Sequence, residues 1–302
     1  MRPYSPYWLF TGLFVISIGV WSRALSETFA LALKNDAYTH LLLILPISVL
    51  LVLFVWRKQR LVPRPSYLGG VVVMGLAGLL VLCGTWWPEE KALTSDIRLA
   101  IEMLAIVVWW IGAFILCFGG RVFRRCLFPM LFLLWLVPVP QFAVNRAIRA
   151  LQKGTVTFTC DLFSAVGIPA AQNGARISIP GITVEVAEEC SSVRSSTILV
   201  VTTMVLSYLL LRSLWGRTIV IFCALPLSIA KNGFRVFVLE GLAAQAFPEI
   251  LDSPLHHRGG ILFLALALGV ILGLIWIVRR LERRTGATAG GQLLPLSTSA
   301  VS

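Results

Sequence analysis

Residues 259–278 read GGILFLALALGVILGLIWIV, and RRLERR follows at once over 279–284. An uncharged run of this length rises about 30 Å as an α-helix, the thickness of a bilayer's hydrocarbon core. A helix apolar on every side and closed by arginines reads as a membrane span ending at a basic membrane face. Runs of similar length recur near 8–25, 37–56, 67–87, 99–118, 122–142, 191–211 and 218–239. The expected fold is therefore an all-α polytopic membrane protein of about eight transmembrane helices. Composition agrees, since 58% of the 302 residues are hydrophobic and only 13% are charged, which excludes a soluble core of this length. Ala30-Leu31-Ala32 has the form of a cleavage site, but the apolar run before it is long for a signal peptide, and an uncleaved anchor is expected.

The charge of +12 is not spread evenly. With the amino terminus in the cytoplasm, Arg2, Arg57, Lys58, Arg60, Arg64, Arg121, Arg124, Arg125, Arg212, Arg217, Arg279, Arg280, Arg283 and Arg284 share one side with a single acid, Glu282. The remaining acids fall on or toward the other side. The basic excess is thus a signal of orientation in the bilayer and not a nucleic-acid footprint, because no basic patch interleaved with aromatics accompanies it.

Between the fifth and sixth spans the pattern changes. Over residues 144–166, Val144, Ile148, Leu151, Phe158 and Leu162 form one helical stripe opposite Arg146, Arg149, Gln152 and Lys153. This predicts an interfacial helix on the outer surface. Arg176 to Val186 then alternates apolar and polar residues about Pro180-Gly181, predicting a short β-hairpin whose second strand leads to Cys190. The membrane domain is expected over 1–284, with 285–302, rich in small and polar residues, as a disordered cytoplasmic tail.

The chemistry gathers at one predicted depth. Cys190 sits at the mouth of the sixth span, where a thiol meets water and can act as a nucleophile. The six cysteines show no C-x-x-C spacing, and a Cys160–Cys190 disulfide is the structural alternative. The seventh span carries Lys231-Asn232-Gly233-Phe234-Arg235. An arginine in an apolar helix normally faces a partner, a cavity or the interface, and Asn232 and Arg235 share a helix face. For Lys231, snorkelling to headgroups is the favoured reading. His256 and His257 precede the eighth span, also on the outer side. A histidine there can take the thiol proton and return one to a leaving amine, while an arginine can hold a thiolate or an oxyanion. Glu188 and Glu189 disfavour a thiolate and make a cationic partner more necessary.

These residues occur in an order that resembles the exosortase and archaeosortase group of membrane-embedded cysteine transpeptidases, over about residues 35–270. The resemblance includes Asn35-Asp36-Ala37-Tyr38-Thr39-His40, Phe128-Pro129 through Pro138-Val139-Pro140, and Gly167-Ile168-Pro169. It continues through Glu185-Val186-Ala187-Glu188, Cys190-Ser191 with Arg194-Ser195, Asn232-x-x-Arg235 and His256-x-x-x-Gly260. Glu189, Ser192 and Ile261 depart from the group's common pattern. The resemblance implies Cys190 as nucleophile, Arg235 as its electrostatic partner and His256 as acid and base. Arg194, Asn232, His257 and His40 take supporting or substrate-binding places. It further implies substrates that are exported proteins ending in a short motif, one transmembrane helix and a basic cluster. They would be cleaved through a thioester on the extracytoplasmic side of the cell's inner membrane and passed to an acceptor that the sequence does not identify. No cofactor or metal is implied.

Two other classes fit only part of this pattern. A transporter would place polar residues near the bilayer middle and show internal repeats, neither of which is clear here. A membrane metal hydrolase would draw on His40, His256, His257 and Glu188, but no H-E-x-x-H or other helical ligand spacing is present.

Overall fold

The structure is a computed structural model that describes residues 6–85, 95–180, 182–185, 193–245 and 260–290. It forms two compact units, Met1–Ala147 and Ile148–Ser302.

The first unit holds α1 (Pro6–Val20), α2 (Ser22–Lys34), a 3-10 turn at Asp36–Tyr38, α3 (Leu41–Gln59), α4 (Tyr67–Thr85) and α5 (Ser95–Phe118). After these come α6 (Gly120–Arg125), α7 (Leu127–Phe132), a second 3-10 turn at Leu133–Leu136 and the first turns of α8 (Gln141–Ala165). Its core is α5, whose Met103, Ile106 and Val107 are fully buried. Beside α5, an apolar cavity of about 640 Å³ is walled by rings that include Phe10, Phe14, Trp56, Trp110 and Phe114.

Six helices of the described residues are long and apolar enough to cross a membrane, and up to eight crossings result if each of two bent pairs is one span. The first and fifth expected spans are the bent ones. Leu127–Leu136 meets α8 at 96°, because Pro138 and Pro140 lack amide donors and force the residues before them out of helical geometry. Val137 is accordingly extended, with ψ 117°. α1 meets α2 at 75°. There the apolar pattern gives way to a two-faced helix, with Ala24, Thr28 and Ala32 buried and Arg23 paired to Glu27 on the exposed side. The Asn35–His40 motif closes onto the proline break. The Asn35 side chain accepts from the Ala37 amide at 3.0 Å, and the Tyr38 hydroxyl donates to the Val139 carbonyl at 2.7 Å.

The second unit holds the rest of α8, three short strands, β1 (Ala171–Asn173), β2 (Arg176–Ile179) and β3 (Ile182–Glu185), and the helices α9 (Val193–Leu210), α10 (Leu214–Gln245) and α11 (Gly260–Gly290). The three helices close around Leu199, Val220, Ala224, Ala267, Ile271 and Ile275. The predicted hairpin is present as β2 and β3, paired from Arg176↔Glu185 to Ile179↔Ile182. A third strand, β1, adds to it through a two-residue loop whose first position, Gly174, has φ +63°, as a type II′ turn requires. The alternation of Arg176–Ile179 buries Ile177 and Ile179 against Val156 and Phe163 of α8 and Val236 of α10. The helix expected over 144–166 is present as α8; of the expected stripe Val144 is buried and Ile148, Leu151, Phe158 and Leu162 are half-buried, but the most deeply buried residues lie beside that stripe. These are Thr155, Val156, Thr159 and Phe163. α11 continues as helix to Gly290, and the rest of the expected tail, 291–302, lies outside the described residues.

One end of this unit is fixed by Glu282. Its carboxylate accepts from the amides of Arg212 and Ser213 at 3.1 and 3.0 Å and from the Ser213 hydroxyl at 2.6 Å, binding α11 to the turn between α9 and α10.

Candidate active site

The other end of the second unit carries the polar face of α10. Ser213 and Arg235 are 22 residues apart, about 33 Å along a helix. Lys231, Asn232 and Arg235 lie within two turns there, and the first two are almost wholly inside the protein, at 7% and 1% exposed. Arg235 is half-buried, with its Nε out of contact with solvent.

Close packing holds this face in place. A Cβ on Gly233 would lie 2.7 Å from the Phe158 ring and 3.2 Å from the Thr155 carbonyl, so only glycine lets α10 approach α8 at this point. The Thr159 hydroxyl bonds across the same contact to the Gly233 carbonyl at 3.2 Å. One turn on, the Phe163 ring of α8 meets that of Phe237 of α10 at a tilt, with centroids 4.9 Å apart, and Phe234 meets Phe263 of α11 edge-on at 6.1 Å.

Two further helices begin at this end. Lys231 Nζ donates to Ser195 Oγ in the first turn of α9. Nη1 of Arg235 stands 3.8 Å from where a Cβ on Gly260, the first residue of α11, would be. Arg235 and Lys231 thus sit at the start of the two helices that follow the cysteine-bearing and histidine-bearing segments.

Cys190, His256, His257, Glu188 and Glu189 lie outside the described residues. Chain length bounds how far the key groups can stray. Cys190 precedes Val193 by three residues and His256 precedes Gly260 by four, spans of at most about 11 and 14 Å. Of the supporting set, Asn232 is in the buried polar face, and Arg194, next to Ser195, is exposed. Cys160, the partner in the disulfide alternative, carries a free thiol. His40 belongs to the first unit, where Nδ1 lies 3.2 Å from the Ala37 carbonyl and the ring meets Trp135 edge-on. Among the described residues no three His, Cys, Asp or Glu side chains gather.

Lys231 departs from the snorkelling expected of it. It lies on the side of α10 turned toward α9, so its long chain runs into the protein and not out to headgroups. The signal available in the sequence was Ser195, five residues beyond Cys190, which offers a buried lysine a hydroxyl partner.

No curated protein and no solved structure matches the chain. The model of the transmembrane exosortase family matches residues 21–273, most of the chain, with both of its compact units represented. The chain, a multi-pass membrane protein, belongs to the transmembrane exosortase family.

Proposed function

We propose that the protein is a membrane-embedded cysteine protease and transpeptidase that cleaves the C-terminal sorting tail of exported proteins and transfers them to an acceptor. Cys190 is the nucleophile. Its thiolate attacks the carbonyl at the scissile bond, and Arg235 offers its guanidinium donors to the thiolate and then to the oxyanion. His256 takes the thiol proton and returns it to the departing amine as the C–N bond breaks, leaving a thioester. An amine or other nucleophile on the acceptor then displaces the thiol and gives up a proton in turn. His257 and Arg194 flank this chemistry, and His40 supports the fold from the first unit. The reaction takes place on the extracytoplasmic side of the inner membrane, so that a substrate's basic end can remain on the basic side.

The observation that carries this reading is the guanidinium of Arg235 beside Gly260, with Lys231 on Ser195 one turn away. A costly cation in an apolar helix stands at the first residue of the helix that follows His256 in the sequence, and Lys231 stands at the first turn of the helix that follows Cys190, which supports the reading. The test is co-expression with an exported protein that ends in a short motif, one apolar helix and a basic cluster. Wild-type enzyme is expected to shorten it, and Cys190→Ala to leave it intact while accumulating normally in the membrane. Shortening at the wild-type rate by Cys190→Ala would remove the cysteine mechanism.

A further inference from the structure

We infer that the ring-walled cavity of the first unit binds one anionic glycerophospholipid of the surrounding bilayer, with an acyl chain inside it and the phosphate on Arg57 and Lys58. Such a site is independent of the cysteine chemistry proposed above.

The cavity measures about 640 Å³ and lies among α1, α3, α5 and α7. On α3 its wall includes Leu45, Val49, Val52 and Trp56, which recur at three and four residues and so share a helix face. Trp110 presents its ring to the cavity while its Nε1 donates to Ser17 Oγ at 2.8 Å. Val49 and Leu53 are 50% and 49% exposed, so the cavity opens along α3 toward the hydrocarbon of the membrane. Near the carboxy-terminal end of α3 the rings of Tyr7, Trp56 and Phe118 meet one another, with centroids 5.2 to 6.1 Å apart. Tyrosine and tryptophan favour the level of the lipid headgroups.

A basic rim adjoins this opening. Leu53 also walls a second recess, completed by Leu50, Phe54, Arg57 and Lys58. Lys58 Nζ stands 5.5 Å from the centre of the Phe54 ring. Arg57 and Lys58 are exposed, and among the described residues the ion pairs, Arg23 to Glu27 and Arg98 to Glu102, do not include them. An apolar cavity and two cations thus meet at one side chain, as the tail and phosphate of an anionic lipid require.

Size and charge select this occupant. At about 30 Å³ for each water-sized group, a cavity of about 640 Å³ takes on the order of twenty methylenes, one long acyl chain. A membrane-spanning helix, about 10 Å across and 30 Å long, is several times larger. The basic end of a sorting tail would moreover meet Arg57 and Lys58 with like charge.

The experiment is native mass spectrometry of the full-length protein, released by mild detergent from nanodiscs that hold equal amounts of phosphatidylglycerol and phosphatidylcholine. One lipid per chain is expected to remain bound. Phosphatidylglycerol should be favoured about thirtyfold, because each cation near a membrane surface contributes about fivefold toward an anionic headgroup. Arg57→Gln combined with Lys58→Gln should keep one lipid and lose the preference. Val52→Trp, which fills the cavity from α3, should retain none, and Val49→Trp at the opening should do the same if the first variant does not accumulate. Leu68→Trp, on a side chain of α4 that is 81% exposed, should behave as wild type. No lipid retained by wild type, equal retention of the two headgroups, or unchanged retention by both cavity-filling variants would each overturn the site. Displacement of the lipid by a leucine-rich transmembrane peptide would assign the cavity to a helix and overturn it as well.

Discussion

The contact between α8 and α10 can be probed with one substitution made at three glycines. Alanine for glycine gains up to about 1 kcal/mol in a helix interior through lower backbone entropy in the unfolded chain. At Gly273 of α11 a Cβ would meet nothing within 4 Å, so Gly273→Ala is expected to be neutral or stabilising by that amount. At Gly154 the nearest atoms are the Ile229 methyl groups, at 3.1 and 3.2 Å. These are the ends of a flexible side chain and can yield, so the gain and the crowding should nearly cancel. At Gly233 the Cβ would fall 2.7 Å from the Phe158 ring and 3.2 Å from both the Thr155 carbonyl and Thr159 Oγ1. Overpacking costs about 1–3 kcal/mol, which leaves a net loss of up to about 2 kcal/mol. For a chain of this size that is a fall of several degrees in melting temperature. The assay is thermal unfolding of detergent-solubilised protein followed by size-exclusion fluorescence, read beside substrate processing. Because Gly233 lies between Lys231 and Arg235, Gly233→Ala should lose processing out of proportion to its melting temperature. A Gly233→Ala protein that melts at or above Gly273→Ala would refute the close approach of the two helices.

Arg235→Lys keeps the charge but loses the planar fork, and it is expected to lower processing about 10²- to 10³-fold at normal membrane accumulation. Full processing by that variant would reduce Arg235 to a lipid anchor. Glu282→Ala removes three hydrogen bonds from the turn between α9 and α10 and, discounted for its position near solvent, should cost about 1–2 kcal/mol in unfolding assays. Processing at permissive temperature should be unchanged, since the proposed chemistry lies at the other end of the unit. Reporter fusions after Arg64, Arg125 and Arg217 are expected to report cytoplasm and those at Glu90 and Glu249 the exterior, whereas a cytoplasmic signal at Glu249 would separate His256 from the outer face.

What the sequence made legible was whatever depends on local pattern. Apolar runs located the six unbroken spans to within several residues, and alternation located β2 and β3, because length and period follow from backbone geometry alone. The two bent spans were legible only in part. Pro138 and Pro140 were visible, but whether prolines kink a helix or end it depends on what the freed backbone finds, here the Tyr38 hydroxyl on the Val139 carbonyl. β1 was passed over although Asn173-Gly174 marked its turn. The inward stripe of α8 was legible only in part, because hydrophobicity alone does not decide helix contacts in a membrane protein. There the small and hydroxyl residues Gly154, Thr155 and Thr159 come closest to α10. The polar face of Asn232 and Arg235 could be read from spacing, whereas the burial of Lys231 needed a partner on another helix, Ser195, that no local period points to.

The composition of α10 also bears on how the chain enters the bilayer during synthesis. Lys231 and Arg235 each oppose partitioning into hydrocarbon, with a penalty of about 2.5–3.5 kcal/mol at a helix centre and less toward its end. α11 has no charge between Gly260 and Val278 and partitions readily. A nascent α10 is thus held in the membrane less by its own affinity for lipid than by its neighbours, α9 through Ser195 on Lys231 and α11 through Phe263 on Phe234. Integration of this unit is expected to be a joint event of the three helices, and the same contacts that retain α10 hold its arginine at the start of α11.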